Sequence, residues 1–304
     1  FSQGGRNNLL GFNTKINLQH RNFLKRAYRY FIDLEGTFEF DFTNFPNIDP
    51  NTISFQIDNR VELPRRIELL NFIRFLNKIK LINDRTYEKF ESETLTEISI
   101  GYGYNDIFDL YLLNSFNATW SYNYQPNPNT RIRYNQLGLN YIIIDTDPLF
   151  EEQFLIVNPL LAASFTDQLF TGLFLRDISF YRQTNKSKYR TQWAFVGNFE
   201  ISGLENYLVN SVVNAFQGDS DYWTLGRVAF AKYIRLENDV RFYKKFSDKT
   251  VWASRMNVAL AFAYGADENI VGDGEVPFIK QYFVGGPNSL RAWRLRELGP
   301  GGFS

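Results

Sequence analysis

The sequence predicts an all-β protein, a transmembrane antiparallel β-barrel with about ten strands present. Three observations carry that prediction. Apolar and polar residues alternate with period two along most of the 304 residues. The alternating runs reach twelve to twenty residues, against roughly 5–6 for an ordinary strand. Aromatics are abundant, with 30 Phe and 18 Tyr, yet mean hydropathy is only -0.32. That balance suits a wall that meets lipid outside and water inside. A soluble β-sandwich would also alternate, but it does not account for the lengths or for aromatics crowding the strand ends.

The alternating segments centre near residues 14, 34, 57, 99, 117, 137, 175, 195, 235 and 257. Residues 28–42 are the cleanest. Tyr28, Tyr30, Ile32, Leu34, Phe38 and Phe40 share one face, and Arg29, Asp33, Glu35, Thr37, Glu39 and Asp41 the other. Next, Ile53, Phe55, Ile57, Val61 and Leu63 oppose Ser54, Gln56, Asp58, Arg60 and Glu62. Ile98, Ile100, Tyr102 and Tyr104 oppose Glu97, Ser99, Gly101 and Gly103. Gly101 and Gly103 are a weak motif and are expected to relieve crowding on the lumenal side. Phe116, Ala118, Trp120, Tyr122 and Tyr124 form the apolar face of the following segment. Trp193, Phe195, Phe199 and Ile201 oppose Gln192, Asn198 and Glu200. Ile234, Leu236, Val240 and Phe242 oppose Arg235, Glu237, Asp239 and Arg241. Trp252, Met256, Val258, Leu260 and Phe262 close the series. Tyr28, Tyr30, Tyr102, Tyr104, Tyr122, Tyr124, Trp252 and Tyr264 fall at segment ends, where a barrel carries its interfacial girdles.

Connections near 22–26, 125–129, 183–187 and 246–249 are short, and those near 145–167, 204–222 and 265 onward are long. Short turns at one rim and long loops at the other are expected of an outer-membrane barrel. Two connections depart from this: the short turn at 105–109, and the long segment 64–92 on the short-turn side. In PRRIELLNFIRFLNKIKLIND, Leu69, Leu70, Phe72, Ile73, Leu76 and Ile79 are surrounded by Arg65, Arg66, Arg74, Lys78 and Lys80. It reads either as an interfacial amphipathic helix on the inner leaflet or, more plainly, as a loop or strand extension.

Composition narrows the function classes. Net charge is zero and the pI about 6.9, so a dominant nucleic-acid role is not expected. Without cysteine there is no disulfide, thiolate metal site or thiol nucleophile. His20 is the single histidine, at a segment end beside Arg21, so a His-based triad would have to use it, and no serine elbow accompanies it. No dinucleotide or phosphate-loop fingerprint occurs. No catalytic residue, metal or cofactor is expected. No run of about 18 apolar residues suggests a membrane-spanning helix. The start, FSQGGRNNLL, lacks a signal-peptide pattern, so residue 1 is not expected to be the natural start of a secreted barrel.

The distinctive motif lies at the end of the chain: FVGGPNSLRAWRLRELGPGGFS. Gly285 and Gly286 permit positive φ, and Gly299 with Pro300 signals a turn. Ser289, Leu290, Arg291, Ala292 and Trp293 form the loop's core. Arg291 is a cation in a compact apolar setting and calls for an acidic or π partner. Unless that partner lies outside this sequence, it would be a lumenal carboxylate such as Glu237 or Asp239, in a ladder whose Arg235, Glu237, Asp239 and Arg241 are candidate charge partners. Ser289 reads as a turn-capping hydroxyl rather than a nucleophile.

This loop resembles the conserved sixth extracellular loop of the BamA/TamA superfamily of outer-membrane assembly factors, in Phe283, Gly285, Gly286, Ser289, Arg291, Gly299 and Pro300. The Arg291-Ala292-Trp293 form resembles the TamA-like (TamL) branch of Bacteroidetes-type bacteria. His20 to Leu24, residues 98–105 and residues 122–130 add looser likenesses. The resemblance implies a bacterial outer-membrane location and a 16-stranded barrel behind periplasmic POTRA domains. Residues 1–304 would be one incomplete barrel domain, with 264–304 the loop that folds into the lumen, and the POTRA domains and last strands absent. It implies a non-covalent role in inserting or exporting proteins through a lateral seam. The partners would be outer-membrane lipids, unfolded outer-membrane clients and periplasmic or lipoprotein accessory subunits, with no nucleic acid. A passive porin or substrate-specific channel is the alternative, and an outer-membrane phospholipase a third.

Overall fold

A computed structural model describes residues 9–42, 49–156, 165–184, 190–217, 224–225, 228–265 and 274–282. They form one long antiparallel sheet and a small two-stranded ribbon. In chain order the strands are β1 (Leu9–Phe23), β2 (Tyr28–Asp41), β3 (Asp49–Leu63), β4 (Thr94–Ile107), β5 (Tyr111–Asn127), β6 (Thr130–Thr146), β7 (Gln168–Gly172), β8 (Asp177–Gln183), β9 (Thr191–Ser202), β10 (Thr224–Leu225), β11 (Val228–Ala229), β12 (Tyr233–Lys245) and β13 (Val251–Ala263). The sheet runs β1-β2-β3-β4-β5-β6-β8-β9-β12-β13, with β7 also on β6, while β10 and β11 make the ribbon. Every ladder is antiparallel, and neighbours in the sheet follow chain order apart from β7, which shares the edge of β6 with β8, and the ribbon strands β10 and β11, which fall between β9 and β12 in sequence. No described helix is long and apolar enough to cross a membrane.

The pairing register fixes the two faces. Asn17 lies opposite Asp33, Asp33 opposite Asp58, Asp58 opposite Gly101, Gly101 opposite Asn117 and Asn117 opposite Asn140. This polar rung lines the concave side. The rung beside it, Ile16, Leu34, Ile57, Tyr102 and Phe116, lines the convex side. Ile100, also convex, is 62% exposed, as suits a lipid-facing position. Glycine on the concave side has a steric cause: a Cβ on Gly101 would overlap the Asp58 and Asn117 side chains, and one on Gly103 would sit 2.7 Å from Ser115 Oγ. Strand lengths of 12–17 residues in the unbroken strands exceed the roughly 9–11 needed to span the bilayer core.

Two segments differ from the sequence expectation. The segment centred near 175 is not one strand. β7 and β8 occupy the same edge of β6, with Gly172 opposite Gly138 and Asp177 opposite Asn135. Residues 173–176 leave the ladder between them. The cause is on β6, where a register shift against β5 leaves Gln136 out of the pairing. A bulge of this kind re-aims side chains and interrupts pairing.

Residues 64–93 are not a strand extension. They fold into two short helices, Phe72–Lys78 and Asp84–Glu93. The second starts from Asn83, whose side chain accepts the Thr86 N–H at 2.7 Å, an N-cap. The segment packs on the convex face near the short-turn rim. Ile73 joins Tyr122 and Tyr134 in a buried cluster with Phe72, Ile82, Tyr87, Phe90 and Trp120 around it. Tyr122 is therefore not an exposed girdle residue. It is fully buried and lies at the centre of the seam between strap and wall. Its hydroxyl accepts the Leu69 N–H at 3.0 Å and the Trp120 Nε1–H at 3.1 Å, and lies 3.2 Å from the Ile67 carbonyl and 2.8 Å from Gln136 Oε1. The Ile67 N–H donates to Thr96 Oγ1 at 2.8 Å. Arg66 stacks over Tyr87 and Phe90 while pairing with Glu68 at 3.0 Å.

Candidate functional site

The break between β7 and β8 places one cation inside the lumen. The Arg176 N–H donates to Asn135 on β6 at 2.9 Å, and its carbonyl accepts from Ile201 on β9 at 2.9 Å. Arg176 thus bridges two strands that the excursion would otherwise leave apart. Its side chain crosses Gly138 and Gly172, where a Cβ would lie 2.5 Å from Arg176 Cγ and 2.9 Å from Arg176 Cα respectively. The two glycines are the space through which the arginine passes. We expect Gly138→Val to expel the Arg176 side chain and lower barrel stability by about 1–3 kcal/mol, as overpacking does. A melting comparison of the full-length barrel checks this, and an unchanged midpoint would count against it.

The Arg176 guanidinium ends on Glu200, in β9. Nη2 reaches Glu200 Oε1 at 2.7 Å and the Tyr233 hydroxyl at 3.0 Å, and Nη1 donates to the Ile201 carbonyl at 3.0 Å. Tyr233, in β12, donates to Glu200 Oε1 at 2.6 Å. Lys280 Nζ reaches the same oxygen at 2.7 Å, and Arg235 Nη1 lies 3.5 Å from Oε2. The Arg176 and Glu200 side chains are only 7% and 15% exposed. A buried carboxylate persists as an anion only with such partners, and here one acid is shared by three cations and a phenol. The charges balance more widely. Arg176, Arg235 and Lys280 line a lumenal cleft of ≈ 350 Å³ together with Glu200, Asp177 and Glu237.

Apolar contacts hold the same point. Phe170 meets the Tyr233 ring edge-on at 5.8 Å. Lys280 lies over Phe170 at 5.6 Å, and Arg235 over the Tyr282 ring at 4.3 Å. Val276 packs against the cluster of Ile142, Phe170 and Tyr233. Burial raises the Tyr282 phenol above its ordinary range, against the opposing pull of Arg235. Residues 274–282 therefore enter the lumen and are fastened there by Val276, Lys280 and Tyr282. The next residue, Phe283, opens the glycine–arginine motif.

That motif itself, with Gly285, Gly286, Ser289, Leu290, Arg291, Ala292, Trp293, Gly299 and Pro300, lies outside the described residues. The four ladder residues all face the lumen from β12, but they are differently engaged. Asp239 is held between Arg241 at 2.9 Å and Arg255 at 2.7 Å. Glu237 accepts a longer bond from Asn257 at 3.3 Å. Arg235 belongs to the Glu200 group. Glu200, Arg176 and Lys280 were not singled out in the sequence. Glu200 does appear there on a polar face, but alternation alone does not distinguish it from Glu237. His20 sits near the end of β1, edge-on to Phe23 at 6.3 Å. Among the described residues no cluster of metal-ligating side chains occurs. The arrangement has the chemistry of a clamp, with charge-assisted hydrogen bonds fixing a loop stem to a barrel wall.

A family model described as the Omp85 superfamily domain matches residues 4–303. Among solved structures, the crystal structure of BamA from Haemophilus ducreyi lacking POTRA domains 1-3 is similar to this chain at 14% sequence identity and a TM-score of 0.45. The likeness covers 97% of this chain and 47% of that one, so the chain spans about half the length of its relative. No curated protein matches. With the family model matching nearly end to end, the chain belongs to the Omp85 superfamily and is a β-barrel protein of the bacterial outer membrane.

Proposed function

We propose that this chain is the barrel of a factor that inserts or exports proteins at the outer membrane, working by non-covalent means. The single observation that carries this reading is the lumenal fastening at Glu200 of residues 274–282, the segment that immediately precedes the glycine–arginine motif in the chain. A stem fixed inside the lumen gives a factor that reshapes its wall around a client a constant interior reference. In this reading Arg291 locks the loop in its working position, and a weak strand seam templates incoming strands by β-augmentation. Its partners are outer-membrane lipids, unfolded outer-membrane proteins and periplasmic or lipoprotein subunits. The Arg291-Ala292-Trp293 form supports a place in the TamA-like (TamL) branch.

Arg291→Ala in the full-length protein is expected to lower client assembly or barrel stability. Wild-type growth, outer-membrane composition and barrel melting in that variant would contradict the reading. A passive channel is the second reading, favoured by the charged lumenal ladder of Asp239, Arg241 and Arg255. It would show large, steady conductance in planar bilayers, and depletion would leave outer-membrane protein levels unchanged.

A further inference from the structure

We propose that residues 64–93 form a bilayer-anchored strap, fixed to the outside of the barrel wall and seated among phospholipid headgroups and upper acyl chains. The register places the strap on the outside. Its partners Thr96, Trp120 and Tyr122 share the convex face: Thr96 pairs with Tyr122 and Ile98 with Trp120, on the same side as exposed Ile100. The lumenal side of the same strands carries Glu97, Ser99 and Gly101 instead. Height follows from connectivity, because the strap joins β3 to β4 at the rim where the short turns 24–27, 128–129 and 246–250 also lie.

The apolar surface of the strap is larger than the wall covers. On the helix Phe72–Lys78, Ile73 is buried against the wall and Phe72 packs on the same cluster. Phe75 is 55% exposed, and Ile79, just past the helix, follows one turn on along the same flank. Leu81 in the next turn is 73% exposed, and Leu70 before the helix is exposed as well. Arg74 and Lys78 are exposed along the flank next to Phe75, and Lys80 pairs only with exposed Asp84 at 3.3 Å. An apolar flank beside a basic one, on a segment too short to span, is the pattern of an in-plane interfacial element.

Lipid is the occupant because this surface continues the convex wall, which in an outer-membrane barrel is already lipid-facing. The basic flank matches lipid phosphates, and long cationic side chains reach headgroups while their stems stay in the apolar layer. The seam on Tyr122 makes the anchor rigid. The strap holds its flank at a set height, so that bilayer contact and wall geometry are coupled at β4 and β5.

Residues 1–304 contain no cysteine, so a cysteine introduced here is the single labelling site within them. The full-length protein in phospholipid vesicles would carry an environment-sensitive dye at Phe75→Cys or Leu81→Cys. Ile100→Cys serves as a wall reference, and Lys249→Cys in the exposed β12–β13 turn as an aqueous reference. The strap dyes are expected to show a blue shift and a loss of intensity to lipid-borne quenchers comparable to those at Ile100. Water-like emission at both strap sites, with no lipid quenching while Ile100 is quenched, would overturn the proposal.

Discussion

Replacing Glu200 with alanine is expected to lower the unfolding midpoint of the full-length barrel sharply and to release residues 274–282 from the lumen. Arg176 loses its carboxylate while buried, and Lys280 and Tyr233 lose the same acceptor. Removing one partner of a buried ion pair costs about 3–5 kcal/mol. The share belonging to Arg235 is smaller, because its contact is long and more solvated. Glu200→Gln keeps an acceptor but not the charge, and should fall between alanine and wild type. Two readouts are available: heat-dependent mobility of the barrel on gels, and tryptic cleavage after Lys280. A variant that melts like wild type and stays uncut at Lys280 would show that the carboxylate does not hold the stem.

The second large effect is expected at the other side of the wall. Tyr122→Phe removes one hydroxyl and leaves the Leu69 N–H and Gln136 Oε1 without it, while the Trp120 Nε1–H keeps the Ile67 carbonyl at 3.3 Å. Each buried polar group stranded in this way costs about 1–3 kcal/mol. The ring remains to stack on Tyr134 at 5.7 Å, so the wall should survive while the strap detaches. Arg74, Lys78 and Lys80 are exposed on that strap and make trypsin a direct reporter. Wild type should be slow to cut there and Tyr122→Phe fast, with barrel melting changed little. Equal cutting in the two proteins would mean that the seam is held by apolar packing alone.

Much of the wall was legible in the sequence because alternation reports a face directly. Asp33, Asp58 and Asn117 could be assigned to the lumen one strand at a time, and the pairing brings them into one rung. Gly101 was legible for the same reason, as the position on that rung where no side chain fits. The site was much less legible. Glu200 and Glu237 have the same local pattern, yet they differ in what the register and the chain outside the sheet bring to them. Arg176 lies in LFLRD, an apolar stretch that reads like strand, because its role depends on Gln136 dropping out of the β5–β6 ladder some forty residues earlier. The strap was half legible. Its amphipathic spacing appears in residues 69–79, but Tyr122 looked like a girdle aromatic and Trp120 like one more residue of the apolar face, since a strand sequence does not reveal what will be laid over it.

In the proposed role, Glu200 and Lys280 hold the loop stem as one unit on which client assembly depends. The most direct measurement is a double-variant cycle on the full-length protein in vesicles: the rate of outer-membrane client insertion in wild type, Glu200→Gln, Lys280→Met and the double variant. Two residues acting as one unit give non-additive losses. Each single variant is expected to slow insertion, and the double variant to be no slower than the slower single. Wild-type rates in the single variants, or losses that simply multiply, would contradict that role.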